Sequence, residues 1–204
     1  AVYTSQAYEC YGNICALMGE DGKAIEYAQL SERAKEAINT KLWEEEAGLY
    51  CDAHASYETV NRKRDIIIRQ LEEAKDNSTK EYIERILEER KEQGNQECGW
   101  LLNRNWIINT PMEAGIAPRQ KAERALEMMH TPQFIGPYGM YLDGLKQAAA
   151  MTIATGVMAV AQARYSYSDR ALELIERMFS SFSRSTPGSI SEMSPDYGCF
   201  VQAW

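Results

Sequence analysis

The sequence has few of the residues that build metal centres and disulfide frameworks. Its 204 residues include two histidines, His54 and His130, and five cysteines, none in a C-x-x-C spacing. Neither histidine has Cys, His or Asp partners at zinc-ligand spacing, so we interpret both as structural residues and expect no metal and no cofactor. An odd cysteine count, with Cys10 and Cys15 in one predicted helix, also argues against a disulfide framework.

Basic residues are in short supply as well. The chain carries 22 Lys and Arg against 30 Asp and Glu, a formal net charge of −8. Such a chain repels phosphates, and the sequence has no Lys/Arg-rich face with interleaved aromatic residues. Nucleic acid is therefore not expected as a partner, and a neutral substrate fits better.

No apolar run is long enough for a bilayer span. The longest, residues 147–163, is interrupted by Thr152, Thr155, Gly156 and Gln162, so it predicts a buried helix and no membrane association. The first residues lack a basic segment followed by an apolar one, so no signal peptide is visible and a cytoplasmic location is expected. For a fragment, this absence would say nothing about secretion.

What the chain does contain is ordinary for one globular domain, with 45% hydrophobic and 25% charged residues. Two kinds of helix alternate in it. Residues 5–18 and 146–164 are apolar or small around most of their circumference and predict helices buried on nearly all sides. Apolar residues at three- and four-residue steps predict amphipathic helices over 23–42, 119–129 and 168–182. The apolar positions of the last are Leu172, Ile175, Met178, Phe179 and Phe182.

Residues 58–97 form an unusual segment, because twenty of its forty positions are Asp, Glu, Lys or Arg. Its apolar residues fall in two clusters separated by 76–78, and Ser78 and Glu81 have capping-box spacing. We expect two short charged helices joined by a turn, inserted into the domain and standing off its main body. A solvated hairpin is the simplest interpretation, with a lid or a dimer contact as alternatives.

Three loop regions carry the candidate chemistry: residues 99–117, 131–144 and 187–197. The first is rich in aromatic and amide residues, and Pro111 is expected to keep Thr110 out of the helical conformation. The second mixes glycine, proline and aromatic residues, as ligand-binding loops often do. The third contains Glu192, which without further context would be a solvated loop residue or a helix-capping acid.

In a hairpin of one apolar helix and one amphipathic helix, the amphipathic partner cannot cover the whole surface of the apolar helix. Such hairpins must therefore stack into a solenoid or a closed ring. The chain holds about three and a half hairpins, and a further dry helix starts at Gly198 and stops at Trp204. We expect an all-α fold, a single domain over 1–204 that is part of a ring, completed by more chain or by another chain.

The loop motifs resemble a known family. NW at 105–106, TPMEAGIA at 110–117, FIGPYG at 134–139, GSISEM at 188–193 and QAW at 202–204 resemble the C-terminal part of the (α/α)6-toroid glycosidases of the glycogen-debranching, amylo-α-1,6-glucosidase type. The resemblance covers most of the chain apart from 58–97. The Ser-Glu pair followed by Gln-Ala-Trp is its most specific part.

The resemblance implies an inverting hydrolysis of α-linked glucosides or related oligosaccharides in the mouth of the ring. Its general base matches Glu192, with Asp196 as the alternative base, whereas the aspartic general acid belongs to an earlier loop that has no counterpart before Ala1. The candidate substrate-binding residues are aromatic or polar, and packing between helices is the alternative for each aromatic one. They are Trp100, Trp106 and Tyr138 for stacking on sugar rings, and Asn105, Glu113 and Gln202 for hydrogen bonds; Trp204 is expected to pack inside the ring.

Two other classes of function remain open at the level of sequence. One is a non-catalytic helical binding or scaffold protein, in which the three loop regions should scatter over different faces. The other is a carbohydrate-active toroid of another reaction type, an epimerase or a phosphorylase. Those usually need a histidine pair or a phosphate-binding cluster, and the two isolated histidines argue weakly against them.

Overall fold

The computed structural model describes residues 1–144, 147, 149–180, 182, 188, 190 and 192–194. This part of the chain is mostly helical, which confirms the all-α class, with a few short strands between the helices. Its α-helices are α1 (Val2–Leu17), α2 (Asp21–Lys41), α3 (Tyr57–Asn61), α4 (Arg64–Glu73), α5 (Asn77–Glu89), α6 (Thr110–Glu113), α7 (Arg119–Met129), α8 (Thr152–Arg164) and α9 (Ser168–Phe179). None of these helices combines the length and the apolar content that a bilayer crossing requires.

The strands form four two-stranded antiparallel pairs among the described residues. They are β1 (Trp43–Glu44) with β2 (Leu49–Tyr50), β3 (Ala53–Ser56) with β4 (Glu97–Trp100), β5 (Ile135–Gly136) with β6 (Gly139–Met140), and β7 (Ala150–Met151) with β8 (Met193–Ser194). The β1–β2 and β5–β6 pairs are hairpins, and the β3–β4 pair joins the two ends of the segment that contains α3, α4 and α5. The fourth joins the segment before α8 to the segment that contains Glu192, so it matters most for the candidate site.

Helices α1 and α2 form the predicted hairpin and pack closely. A side chain at Gly12 would meet the Ala24 carbonyl oxygen at 3.2 Å, and the Ser31 hydroxyl donates to the Ser5 carbonyl at 2.9 Å. The prediction that this first helix is buried on nearly all sides is wrong for the described chain. Only α2 covers it extensively, so one face stays exposed, with Leu17 at 89%.

The charged segment folds as predicted into two short helices, α4 and α5, joined by a turn. They enclose a small hydrophobic cluster of their own. Asp76, not Ser78, caps α5: its carboxylate accepts hydrogen bonds from Thr79 N at 3.0 Å and from the Ser78 hydroxyl at 2.9 Å. Because Asp76 already occupies the cap position, Ser78 lies inside the first turn and cannot fill that role.

The charged segment does not stand off the main body, contrary to expectation. Arg90 forms an ion pair with Glu44 at 2.9 Å in which both side chains are less than one-fifth exposed. The Arg90 guanidinium also donates to the Gly99 carbonyl at 2.5 Å, and Arg85 reaches Glu46 at 2.7 Å. These contacts hold α5 and the chain after it against the β1–β2 and β3–β4 pairs.

The main hydrophobic core lies between α7, α8 and the helical residues 106–113. Met112, Leu126 and Met158 are completely buried in it. The N-terminal part of the core wall is a 3₁₀ helix, Trp106–Asn109, which continues into α6. Thr110 is helical (φ −60°, ψ −30°), so the expectation that Pro111 would keep it extended is wrong. Pro111 falls in the first turn of α6, where it costs no backbone hydrogen bond.

Helix α8 begins later than predicted, at Thr152, because the residues before it pair with another strand. Ala150 faces Ser194 and Met151 faces Met193 in the β7–β8 pair. Backbone groups engaged in that ladder are not available for a helical turn. The buried residues of α8 lie along one face, whereas Ile153, Val160 and Ala163 are exposed on the opposite face, so the prediction that this helix is buried on nearly all sides is also wrong for the described chain.

Helix α9 presents its apolar stripe differently from the prediction. Leu172, Ile175, Phe179 and Phe182 are exposed, whereas Ala171 and Leu174 are buried against the core. Helix α8 covers only one flank of α9, so the neighbouring flank has no partner within the described residues. Antiparallel hairpins such as α1–α2 and α8–α9 are the expected repeating unit, and their arrangement in a toroid stays a prediction.

Candidate functional site

The first two loop regions singled out from the sequence contact each other directly, and the third is joined to them through the segment before α8. Between the first two, Trp106 N donates to the Leu142 carbonyl at 3.1 Å and Gly144 N donates to the Arg104 carbonyl at 3.0 Å. An antiparallel bridge between Asn105 and Asp143 lies between these bonds. Backbone hydrogen bonds over three consecutive residues fix the register of two loops that are almost forty positions apart in the chain.

The third loop region joins them through the segment before α8. Leu142 N donates to the Ala149 carbonyl at 3.0 Å, and β7 follows immediately. The β7–β8 pair then brings in residues 192–194, and Thr152 N donates to the Glu192 carbonyl at 2.9 Å. Glu192 therefore lies beside the first residue of α8, at the positive end of the helix dipole, with a half-buried side chain.

A cavity of about 400 Å³ borders the same region. It lies between the N-terminal end of α1 and the 3₁₀ helix Trp106–Asn109, which Asn105 precedes. Its volume is in the range of small-ligand pockets. The residues that line it include Ala1, Val2, Tyr3, Leu42, Tyr50, Cys51, Asp52, Ala53, His54, Ile107, Ile108, Thr110 and Pro111.

The structure separates the predicted aromatic residues. Trp100 is completely buried in the small hydrophobic cluster and donates its indole N–H to the Ala55 carbonyl at 2.9 Å, so its ring is not open to a sugar. Trp106 is half-buried at the junction of the first two loops, packed against the main core. Tyr138 is half-buried in the turn between β5 and β6. Trp106 thus remains the aromatic candidate closest to the loop junction.

The predicted polar residues are placed as follows. Asn105 caps the 3₁₀ helix, because its Oδ1 accepts from Ile107 N at 3.1 Å, and this leaves the amide NH₂ as the donor group for a ligand. Glu113 ends α6, with one buried carboxylate oxygen that has no hydrogen-bond partner among the described residues. Its charge reaches Tyr3, whose pKa is raised by burial and by Glu113. Asp196, Gln202 and Trp204 lie outside the described residues.

Asp52 is a buried carboxylate that the sequence interpretation missed. Its Oδ1 accepts from Leu102 N at 2.8 Å and its Oδ2 accepts from Asn103 N at 2.7 Å, fifty residues further along the chain. It also lines the cavity beside α1. Asp52 therefore anchors the start of the loop that carries Asn105 and Trp106. No local sequence pattern indicates this role.

Burial raises the pKa of Asp52, and the backbone hydrogen bonds from Leu102 and Asn103 oppose that rise. The folded protein therefore holds the Asp52 proton more tightly than the unfolded chain, whose pKa is about 3.9. The stabilisation from this group is complete below that pKa and is lost as the pH rises through the folded value. We expect the free energy of unfolding of the wild type to fall relative to Asp52→Asn over that window. Urea unfolding at a series of pH values measures it, and a pH-independent difference would contradict the assignment.

Each histidine lies close to a glutamate, and the two lie in different parts of the fold. His130 Nε2 lies 3.4 Å from a Glu173 carboxylate oxygen, and burial, followed by the charge of Arg170, lowers the His130 pKa. His54 lies at the cavity beside α1, with its Nδ1 3.6 Å from Glu97. Within the described residues, no group of three or more His, Cys, Asp or Glu side chains is arranged to hold a metal ion.

No protein-family model matches the sequence, and no curated protein matches it. The converging loops and the chemistry of the residues they carry are therefore the basis for assigning a function.

Proposed function

We propose that this chain is part of a toroidal (α/α)6 glycoside hydrolase that cleaves α-linked glucosides by inversion, with Glu192 as the general base. The observation that carries the proposal is the convergence of the three loop regions beside the first turn of α8. A helical scaffold without a site gives no reason for loops from three distant parts of the chain to meet there. Ligand sites, in contrast, are commonly built from loops held by a rigid framework.

An inverting glycosidase needs two carboxyl groups with different tasks. A general acid protonates the leaving oxygen, while a base on the opposite face of the sugar deprotonates water. The two carboxyl groups are about 6.5–9.5 Å apart, which leaves room for that water. Glu192 supplies the base. The backbone bond from Thr152 N to the Glu192 carbonyl holds the main chain of this residue, so the carboxylate is presented from a fixed point at the rim of α8.

The acid is assigned to an earlier loop of the complete protein, and Asp52 is not proposed for that role. Both Asp52 carboxylate oxygens already accept backbone N–H groups. A general acid must instead donate a proton to the leaving oxygen from a free carboxyl oxygen. Asp52 acts on the site through the loop that it holds, which makes it a positioning residue.

The remaining candidate groups suit a neutral, hydroxyl-rich substrate. Trp106 offers an aromatic face and Asn105 an amide donor at the junction of the first two loops, whereas Glu113 lies just before residues 115–117, which contact Arg164 and Tyr165 at the other end of α8. The net charge of −8 disfavours phosphorylated substrates, which bind best to positive surfaces. Oligosaccharides built from α-linked glucose meet both requirements.

The stereochemistry of the product tests the proposal. When the complete protein is mixed with maltose or isomaltose, proton NMR recorded before mutarotation is expected to show β-glucose as the first product released from the non-reducing end. Inversion at the α-linked carbon requires this outcome. Release of α-glucose first would contradict an inverting mechanism, and no release from either disaccharide would contradict hydrolysis of this substrate class.

A further inference from the structure

A second cavity, of about 370 Å³, lies between the charged segment and the loop that precedes α8. One wall is the α4–α5 turn and the start of α5, and the other is formed around Pro132 and Gln133. The residues that line it include Lys75, Asp76, Ser78, Gln133 and Gly144. The charged segment is thus a wall of a cavity and not a free hairpin.

This cavity adjoins the converging loops directly. Gly144 lines it and donates its N–H to the Arg104 carbonyl at 3.0 Å, and the preceding residue, Asp143, bridges to Asn105. Behind the junction, burial lowers the Arg104 pKa, and the charges of Asp76, Tyr82 and Asp52 oppose this effect. Arg104 is therefore close to acidic groups of both the charged segment and the main body, so the two walls meet next to the candidate site.

The groups around the cavity favour a neutral polyhydroxyl ligand over an ion. Asp76 is ionised near neutral pH: burial would raise its pKa, but hydrogen bonds from Thr79 and Ser78 and the Arg104 charge outweigh that and lower it. Its carboxylate repels anions, while the Lys75 ammonium disfavours cations. Together with the Ser78 hydroxyl and the Gln133 carboxamide, they offer acceptors and donors at once, as sugar hydroxyl groups require.

We infer that this cavity is a sugar-binding subsite, in which the charged segment 58–97 holds glucose units of an oligosaccharide remote from the cleaved bond. The inference rests on the proposed hydrolase function and deepens it, because it assigns a preference for longer substrates to the α4–α5 turn. A short aryl glucoside would occupy only the site beside Glu192, whereas a maltooligosaccharide would reach the cavity as well.

The test compares two substrates in the complete protein. Lys75→Ala and Gln133→Ala, together, remove two hydrogen-bonding side chains from opposite walls of the cavity. For maltopentaose we expect kcat/KM to fall about tenfold, mostly through KM, since each lost hydrogen bond weakens binding several-fold. For p-nitrophenyl α-glucoside we expect kcat/KM to stay unchanged.

Lys91→Ala is the matched control, because Lys91 is an exposed lysine of the same segment whose ion pair, with Glu88 at 3.6 Å, lies outside the cavity. It should leave both substrates unaffected. An equal loss on both substrates, or no loss on maltopentaose, would overturn the subsite while hydrolysis itself stands. If the unsubstituted protein hydrolyses neither substrate, the proposed function fails and the subsite falls with it.

Discussion

Replacement of Glu192 by Gln in the complete protein is expected to lower kcat for an α-linked glucoside by about 10²–10⁴-fold, the usual contribution of a general base. The amide keeps the size and most hydrogen bonds of the carboxylate, but it cannot accept a proton from water. Since substrate still binds, KM should change by less than about threefold, because a loss confined to the transition state appears in kcat. Steady-state kinetics on maltose or isomaltose measure both parameters.

Glu176→Gln provides the matched control for this substitution. Glu176 is an exposed glutamate on α9, so the same chemical change there should leave kcat and KM unaltered. Near-normal turnover of the Glu192 variant would remove Glu192 as the base. A rise in KM at unchanged kcat would instead make it a substrate-binding residue and would leave the base to be sought at Asp196.

Hydrophobic periodicity predicted the bounds of amphipathic helices more reliably than it predicted the surroundings of helices that are apolar on all sides. Helix α7 has the predicted bounds, and α2 agrees within two residues, since alternating apolar and charged positions mark the extent of a helix. They do not always mark the buried face, because α9 exposes its predicted apolar stripe. Helix α1 has apolar residues around most of its surface, and that pattern does not say which neighbours exist to cover them. In the described chain α2 covers one side only, so Ile14 and Leu17 remain exposed.

Local rules failed where two residues competed for one role. Ser78 fits a capping-box pattern, but Asp76, two positions earlier, takes the cap because its carboxylate reaches Thr79 N. Pro111 disfavours a helical Thr110 in an isolated peptide. Here the preceding 3₁₀ helix already orients that backbone, and the Thr110 hydroxyl donates to the Ile107 carbonyl at 2.7 Å. In both places the context outweighs an average preference.

Composition identified the loops of the candidate site, but not how they meet. Glycine, proline, aromatic and amide residues mark 99–117 and 131–144 as unusual loops. Their contact depends on backbone bonds such as Trp106 N to the Leu142 carbonyl, which involve no distinctive side chain. The role of Asp52 is hidden for the same reason, since its partners are the main-chain N–H groups of Leu102 and Asn103.

Replacement of Trp100 by Ala is expected to destabilise the protein by about 3–5 kcal/mol, the usual cost of deleting a large aromatic side chain from a core. Trp100 is completely buried, its indole donates to the Ala55 carbonyl at 2.9 Å, and the Arg90 guanidinium lies 4.9 Å from its ring centroid. It therefore joins the charged segment to the β3–β4 pair, and its loss should loosen the wall of the 370 Å³ cavity that the charged segment forms. Urea unfolding measures the change.

Trp106→Ala is the control. Because the Trp106 side chain is only half-buried, its removal should lower the free energy of unfolding less than Trp100→Ala does, and should lower kcat/KM more. A Trp100 variant of near-normal stability with impaired substrate binding would make Trp100 a sugar-stacking residue after all.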